Sequence, residues 1–210
     1  LPIGIGGVYP TVFPEYIISK EFVDFICIGE GEGAIEEIVN RFNGKLVLNG
    51  IRNIWYKSVD ENGKTVVIKN EMQSLISDLD TLPMPDKRLF FDYGVFKVRY
   101  YLMTSRGCPN SCTFCINHQL KCIYKGLGQY LRRRTPKNVI DELIWAKSEF
   151  KYREIYFYDD IFGSDINWLK EFKDLLFQNN LKIKYKCLMH PNFINTESVR
   201  LLRETGCIDV

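Results

Sequence analysis

The sequence predicts an α/β chain: the end of a doubly wound parallel sheet over residues 1–45, a connecting segment over 46–92, and the first half of a second array of β/α units over 93–210. Three observations carry this reading. Short apolar runs near the start close on glycines, as buried parallel strands do where they turn into helices. From Val98 onward a pattern of strand, loop and helix repeats three times. Between the two regions lies a turn-rich stretch with two closely spaced prolines, Pro83 and Pro85, which end regular structure.

Taken in order, Leu1 to Val8 reads as a buried strand followed by a tight turn, and Phe13 to Lys20 as a short helix. Val23 to Ile28 is a second strand, and Gly29-Glu30-Gly31-Glu32-Gly33 opens a helix through Ala34, Ile35, Ile38, Val39 and Phe42. Strand, helix, strand, helix at this spacing implies a parallel sheet, with ligands at the carboxyl ends of its strands. Asn53 to Lys57 and Thr65 to Ile68 flank Asn62-Gly63, which predicts a small appended hairpin. Ser77 to Asp86 is a linker. Val98 to Met103 begins the second array. Thr135 with Pro136 starts a helix as N-cap and first-turn proline, and Glu154 to Tyr158 is the next strand. Ser164 is expected to cap the following helix, Ile183 to Cys187 to form a third strand, and Thr196 to open a helix that Gly206 stops. Cys207 to Val210 begins a fourth strand. A leucine at position 1 and an end inside a starting strand predict a piece of a longer protein.

With 46% hydrophobic and 14% aromatic residues the chain can build substantial cores. Its 28 basic and 26 acidic residues leave a formal charge of +2, which gives no bulk field for nucleic acid or an anionic membrane. No apolar run approaches the roughly 18 residues needed to span a bilayer. The seven cysteines are odd in number and mostly scattered, with no secretory leader before them, so a reducing cytoplasm is expected rather than a disulfide framework. Cys122, Cys187 and Cys207 read as core or incidental thiols.

The chemistry concentrates in Arg106-Gly107-Cys108-Pro109-Asn110-Ser111-Cys112-Thr113-Phe114-Cys115, where three thiols fall within eight positions at the carboxyl end of a predicted strand. Thiolates are soft ligands for iron–sulfur clusters, copper(I) or zinc, and three of them leave a four-iron cube one corner short. A zinc site of the three cysteines plus His118 is the other chemical option, although neither a second Cys-x2-Cys nor a His-x3-5-His accompanies it. A non-catalytic iron–sulfur or zinc module for electron transfer or structure is the corresponding alternative function.

The pattern Cx3CxΦC, with Cys108, Cys112, Phe114 as the aromatic position and Cys115, resembles the signature of the radical S-adenosylmethionine (SAM) superfamily. That resemblance implies a 4Fe-4S cluster on the three cysteines, SAM chelated to the open iron, Phe114 near the adenine, and an incomplete version of the family's partial TIM barrel. It also implies reductive cleavage of SAM and hydrogen abstraction from a small-molecule substrate, with electrons from a reductant such as flavodoxin or ferredoxin. Upstream, Gly6-Gly7 in Ile5 to Thr11, Pro14-Glu15, and Gly29-Glu30-Gly31-Glu32 are similar to the last third of the Rossmann-like cobalamin-binding domain that precedes many such barrels. In that family these glycines, with Glu30, border the cobalamin tail, and the common outcome is methylation of an unactivated carbon, with cyclisation or thiolation as variants.

Asp159 and Asp160 end the second strand of the array, where a carboxylate could bond the amino group or ribose of SAM. The family's Phe-x-Asp-Asp-x-Phe stretch matches Phe157 to Phe162. A helix-entry acid pair is the other reading of these two residues. His190 and Asn192, past the third strand, read chiefly as polar loop residues, and Arg132-Arg133-Arg134 as a solvated or helix-linking charge run.

Overall fold

The computed structural model describes residues 2–91, 93–94 and 97–210. Leu1, the first residue of the expected opening strand, and position 92, an expected boundary, lie outside them. The chain divides into two compact units, residues 1–76 with 112–128, and residues 77–111 with 129–210. The first unit takes in both the hairpin and the stretch from Cys112 to Gly128.

In the first unit, β1 (Gly4–Ile5) pairs in parallel with β2 (Phe25–Cys27), and β2 pairs antiparallel with β3 (Ile54–Val59). The hairpin of β3 and β4 (Thr65–Lys69) therefore extends the sheet instead of standing apart from it. Its turn follows the sequence: Asp60 Oδ1 accepts from the Asn62 and Lys64 amides, and Gly63 takes φ +76°. The opening helix arrives earlier than expected, as α1 (Val8–Val12) and α2 (Pro14–Ile18), with Pro14 at the start of the second. Alternation along β2 feeds both faces of the sheet. Ile26 packs with Ile17, Ile18 and Val23, while Cys27 packs with Ala34 of α3 (Glu32–Arg41) and with Ile51 and Ile54. A helix that the sequence reading left out, α5 (Ile116–Ile123), also belongs here, and beyond it the Leu75 amide donates to the Leu127 carbonyl at 2.7 Å.

The second unit begins with a linker turn at Leu79–Thr81 and a short α4 (Arg88–Phe91). Its sheet is all parallel, in the order β10 (Cys207–Asp209), β9 (Tyr185–Lys186), β8 (Glu154–Phe157), β5 (Arg99–Leu102). The connections run through α6 (Pro136–Glu149), α7 (Ile166–Gln178) and α8 (Thr196–Thr205). A two-rung antiparallel pair, β6 (Ser105–Arg106) with β7 (Arg132–Arg133), stands beside it.

One face of this sheet is the core. Tyr100, Leu102, Ile155, Phe157, Tyr185 and Cys187 bury against Val139, Ile140 and Leu143 of α6, Trp168, Leu169 and Phe172 of α7, and Leu201 and Leu202 of α8. Phe157 is central, stacked 4.5 Å from Phe162 and edge-on to Phe172 and Tyr185. The opposite face is polar and aromatic. It carries the Arg99–Glu154 and Lys186–Asp209 ion pairs and the cross-strand neighbours Tyr101 and Tyr156, whose rings lie 6.0 Å apart.

Helix ends follow local chemistry. Thr135 caps α6 through the Asn138 amide, as expected. For α7 the cap is Asp165, one residue past the expected Ser164, and it accepts from the Asn167 and Trp168 amides. Asn195 caps α8 in a reciprocal box with Ser198. Gly206 ends α8 at φ +96°, where a Cβ would lie 2.1 Å from the Ile183 carbonyl oxygen, so only glycine fits.

Candidate functional site

Strand β5 hands the chain to the cysteine loop through Thr104 and Ser105, both buried, and there Asp159 at the end of β8 takes hold of it. Asp159 Oδ1 accepts from the Thr104 amide at 3.0 Å, from the Thr104 hydroxyl at 2.8 Å and from the Ser105 hydroxyl, and Oδ2 lies 3.1 Å from the same amide. On the other side the Arg134 amide donates to the Thr104 carbonyl at 2.8 Å, and Ser105 and Arg106 pair with Arg133 and Arg132. Gly107 follows at φ +85°, pressed so closely on Tyr130 that a Cβ would come within 2.4 Å of its carbonyl oxygen. Cys108 comes next, and it is buried.

The division between the units falls inside the loop, so that Cys108 belongs to the second and Cys112 and Cys115 to the first. Cys115 is the N-cap residue of α5. Its amide donates to the Cys112 carbonyl at 3.0 Å, and Asn117 Nδ2 lies 3.6 Å from its sulfur. The amino end of a helix favours a thiolate. Phe114 is 92% exposed, with its ring in solvent, and His118 is exposed as well. None of the seven cysteines is disulfide-bonded, and among the described residues no three His, Cys, Asp or Glu side chains stand close enough to hold a metal. The donor set itself, three thiols at this spacing, fits a thiolate-ligated iron cluster.

The expected acid pair separates. Asp159 is fully buried, its carboxyl pushed up by burial and drawn back by Ser105, Thr104 and the Arg133 charge, whereas Asp160 is exposed. His190 accepts the Asn192 amide through Nδ1 as the cap of a short turn over Pro191–Phe193.

The arginines are not a solvated run. Arg132 is buried, Arg133 Nη2 donates to Ser164 Oγ at 2.7 Å, and Arg134 bridges to Glu142 at 2.6 Å and to the Met103 carbonyl at 3.1 Å. Arg134 thus links helix α6 to the end of β5, which the helix-linking reading anticipated. Arg133 and Trp168 help line a cleft of about 780 Å³ within this unit.

In the first unit the glycines meet at the carboxyl edge of β1 and β2. Gly7 adopts φ +102° with open space beside it, and Gly29 adopts φ +80°. Buried Thr11 joins the two turns, since its hydroxyl donates to the Gly7 carbonyl at 2.7 Å and accepts from the Gly29 amide at 2.9 Å. Gly6 and Gly31 lie against Cys27, at ordinary contact distance for a Cβ. Glu30 turns inward, accepting the Ile76 amide at 2.8 Å, while buried Asn53 donates to the Glu30 carbonyl at 2.7 Å and accepts from the Gln73 amide at 2.8 Å. Sequence reasoning missed Thr11 and Asn53; a hydroxyl three positions before the paired prolyl-acid turn and an asparagine before a strand carry no distinctive pattern.

No protein-family model matches the chain. It is 30% identical over 208 residues to an uncharacterized methyltransferase of Pyrococcus horikoshii, a match spanning 97% of this chain and 43% of the relative. It is 27% identical over 198 residues to the cytidylyl-2-hydroxyethylphosphonate methyltransferase of Streptomyces wedmorensis, covering 80% of this chain and 35% of that protein. The anaerobic magnesium-protoporphyrin IX monomethyl ester cyclase of a Synechocystis strain is 29% identical over 150 residues, 69% of this chain and 28% of its own length. The chain therefore spans less than half the length of these curated relatives. In fold it is similar to the cobalamin-dependent SAM radical enzyme OxsB with aqua-cobalamin and SAM bound, at a TM-score of 0.68 and 21% identity over 98% of this chain and 30% of that one. The radical SAM methyltransferase TsrM from Kitasatospora setae, with cobalamin and a 4Fe-4S cluster, superposes at a TM-score of 0.69 and 15% identity, over 98% of this chain and 40% of the other. The chain thus shares its fold with cobalamin-dependent radical SAM enzymes and its sequence with named methyltransferases and a cyclase, the setting that the spacing of Cys108, Cys112 and Cys115 leads one to expect.

Proposed function

We propose that this chain is part of an enzyme that cleaves SAM reductively and uses the product to activate a small-molecule substrate for cobalamin-dependent methylation or a related carbon–carbon or cyclisation reaction. The observation that carries the reading is where the cysteine motif begins: Cys108 follows the carboxyl end of β5, the first strand of a parallel β/α sheet and the edge at which such folds build their sites, and Cys112 and Cys115 come next in the sequence. When bound, a 4Fe-4S cluster supplies the electron for cleaving SAM, and cobalamin supplies a methyl carrier. The chain's share is to hold and orient these groups. The three cysteines would ligate three irons, the α5 amino end beside Cys115 favours their negative charge, and exposed Phe114 and Asp160 are available to SAM. Gly6, Gly7, Gly29 and Gly31 let a cobalamin tail approach the backbone at the β1 and β2 edge. A cytoplasmic setting, with a flavodoxin or ferredoxin as reductant, is part of the proposal.

The test is anaerobic reconstitution of the complete protein with iron and sulfide. About four irons per chain are expected, lost when Cys108, Cys112 or Cys115 is replaced by serine. Stoichiometric zinc with no iron uptake would sink the proposal. An intact cluster without SAM cleavage under strong reductant would favour a structural or electron-transfer module.

A further inference from the structure

The Asp159 side chain is fully buried and stands at the carboxyl end of β8, beside the passage from β5 into the cysteine loop. Among the described residues every hydrogen-bond partner of its carboxylate is a donor, and all of them belong to Thr104 and Ser105. The Thr104 amide sits astride the two oxygens, at 3.0 and 3.1 Å, an arrangement that an asparagine could not reproduce without turning its amide group toward another donor. The same two residues are gripped from behind by Arg134, through the Thr104 carbonyl, and by the pairing of Ser105 with Arg133. Two positions later Gly107 is pinned against Tyr130. Thr104 and Ser105, four and three positions before Cys108, are thus held on both sides, Gly107 adjoins it against Tyr130, and Asp160, next to Asp159, is exposed to solvent.

We propose that Asp159 is a positioning residue for the cluster: it acts through Thr104 and Ser105 to fix the backbone that presents Cys108, and Asp160 is the carboxylate of the pair that meets the cofactor. The proposal rests on the cluster assignment above for its consequences, and on the contacts of Asp159 for its geometry. A buried carboxylate is worth its desolvation here because it collects three donors from the one segment whose placement sets Cys108. This separates the two aspartates into different tasks, although they are adjacent in sequence.

The experiment compares Asp159→Asn, Asp160→Asn and the wild type in the complete protein. Phe157→Leu serves as a control that loosens the same sheet through its core. Three quantities are read: iron loss to a chelator from folded protein, SAM affinity of the cluster that remains, and hydrogen exchange across residues 104–108 of the apo chain. Asp159→Asn should lose iron about tenfold faster, the scale seen when a group supporting a metal ligand is removed, with SAM affinity per cluster unchanged and faster exchange over 104–108. Asp160→Asn should keep its iron and bind SAM more weakly, and Phe157→Leu should lower the melting temperature without hastening iron loss. Wild-type iron retention in Asp159→Asn, or weaker SAM binding at unchanged retention, would overturn the proposal. Should Asp159→Asn not fold, Ser105→Ala removes one donor and must still quicken iron loss and exchange. If the wild type takes up no iron, the cluster assignment fails and the exchange comparison alone decides, with unchanged exchange over 104–108 counting against the clamp.

Discussion

The Tyr100 hydroxyl on β5 donates to Glu142 on α6 at 2.8 Å, and the same carboxylate, whose side chain is 2% exposed, receives Lys87 at 2.8 Å and Arg134 at 2.6 Å. Linker, first strand of the second unit, arginine segment and helix α6 therefore meet on one buried anion. Its removal leaves two buried cations without their counterion, and Glu142→Ala is expected to cost about 3–5 kcal/mol in urea unfolding.

The same carboxylate sets an acid limit. Burial raises the Glu142 pKa, but Lys87 and Arg134 outweigh that and hold it below the ordinary 4.5. A depressed folded-state value contributes stability that is present above the unfolded pKa and lost as pH falls through the folded one. Thermal melts from neutral pH downward should show a loss below pH 4.5 that Glu142→Gln flattens; an unchanged slope in the variant would assign the acid sensitivity to other carboxylates.

Gly107→Ala places a methyl group within 2.4 Å of the Tyr130 carbonyl oxygen at a φ of +85°. Strain of this kind costs roughly 1–3 kcal/mol. The variant should melt lower and reconstitute with less iron, and a fully loaded, equally stable Gly107→Ala protein would show that the turn is not constrained.

Phe114 is 92% exposed, so Phe114→Ala should change folding stability by no more than about 0.5 kcal/mol. Calorimetry with SAM on the reconstituted protein should nevertheless show weakened binding. A large drop in melting temperature would mean that the ring packs into the fold instead.

Thr11→Val keeps the shape of the side chain and deletes the hydroxyl shared by the Gly7 and Gly29 turns. A buried amide that loses its acceptor costs about 1–3 kcal/mol. Cobalamin uptake by the complete protein, followed by its visible absorption, should fall along with stability, and unaltered uptake would separate Thr11 from the site.

The parts of this fold that the sequence announces are those fixed by neighbours along the chain. Thr135-Pro136, Gly206 and Asn62-Gly63 each specify a cap or turn within a few residues, and the cysteine spacing names its chemistry outright. What it conceals depends on residues far away. Ser164 is the cap expected from the sequence, yet Asp165 takes that place while Ser164 bonds Arg133. The hairpin looks detachable until β3 is seen to pair with β2. Asp159 and Asp160 look equivalent until Thr104 and Ser105, some fifty-five positions earlier, enclose one of them. The helix α5 is only eight residues long and takes the last cysteine of the motif as its N-cap, so Ile116, Leu120 and Ile123 offer barely two turns of apolar spacing.

The second unit's sheet divides its obligations between its faces. On the helix side, Phe157 and Tyr185 are locked among close-packed rings, where a single lost methylene is felt. On the other, the rings of Tyr101, Tyr156 and Tyr158 lie within about 6 Å of one another, beside the Arg99–Glu154 and Lys186–Asp209 ion pairs. Substitutions at those three tyrosines leave the helix-packed core untouched, so that face can vary while the residues that present Cys108 stay as they are.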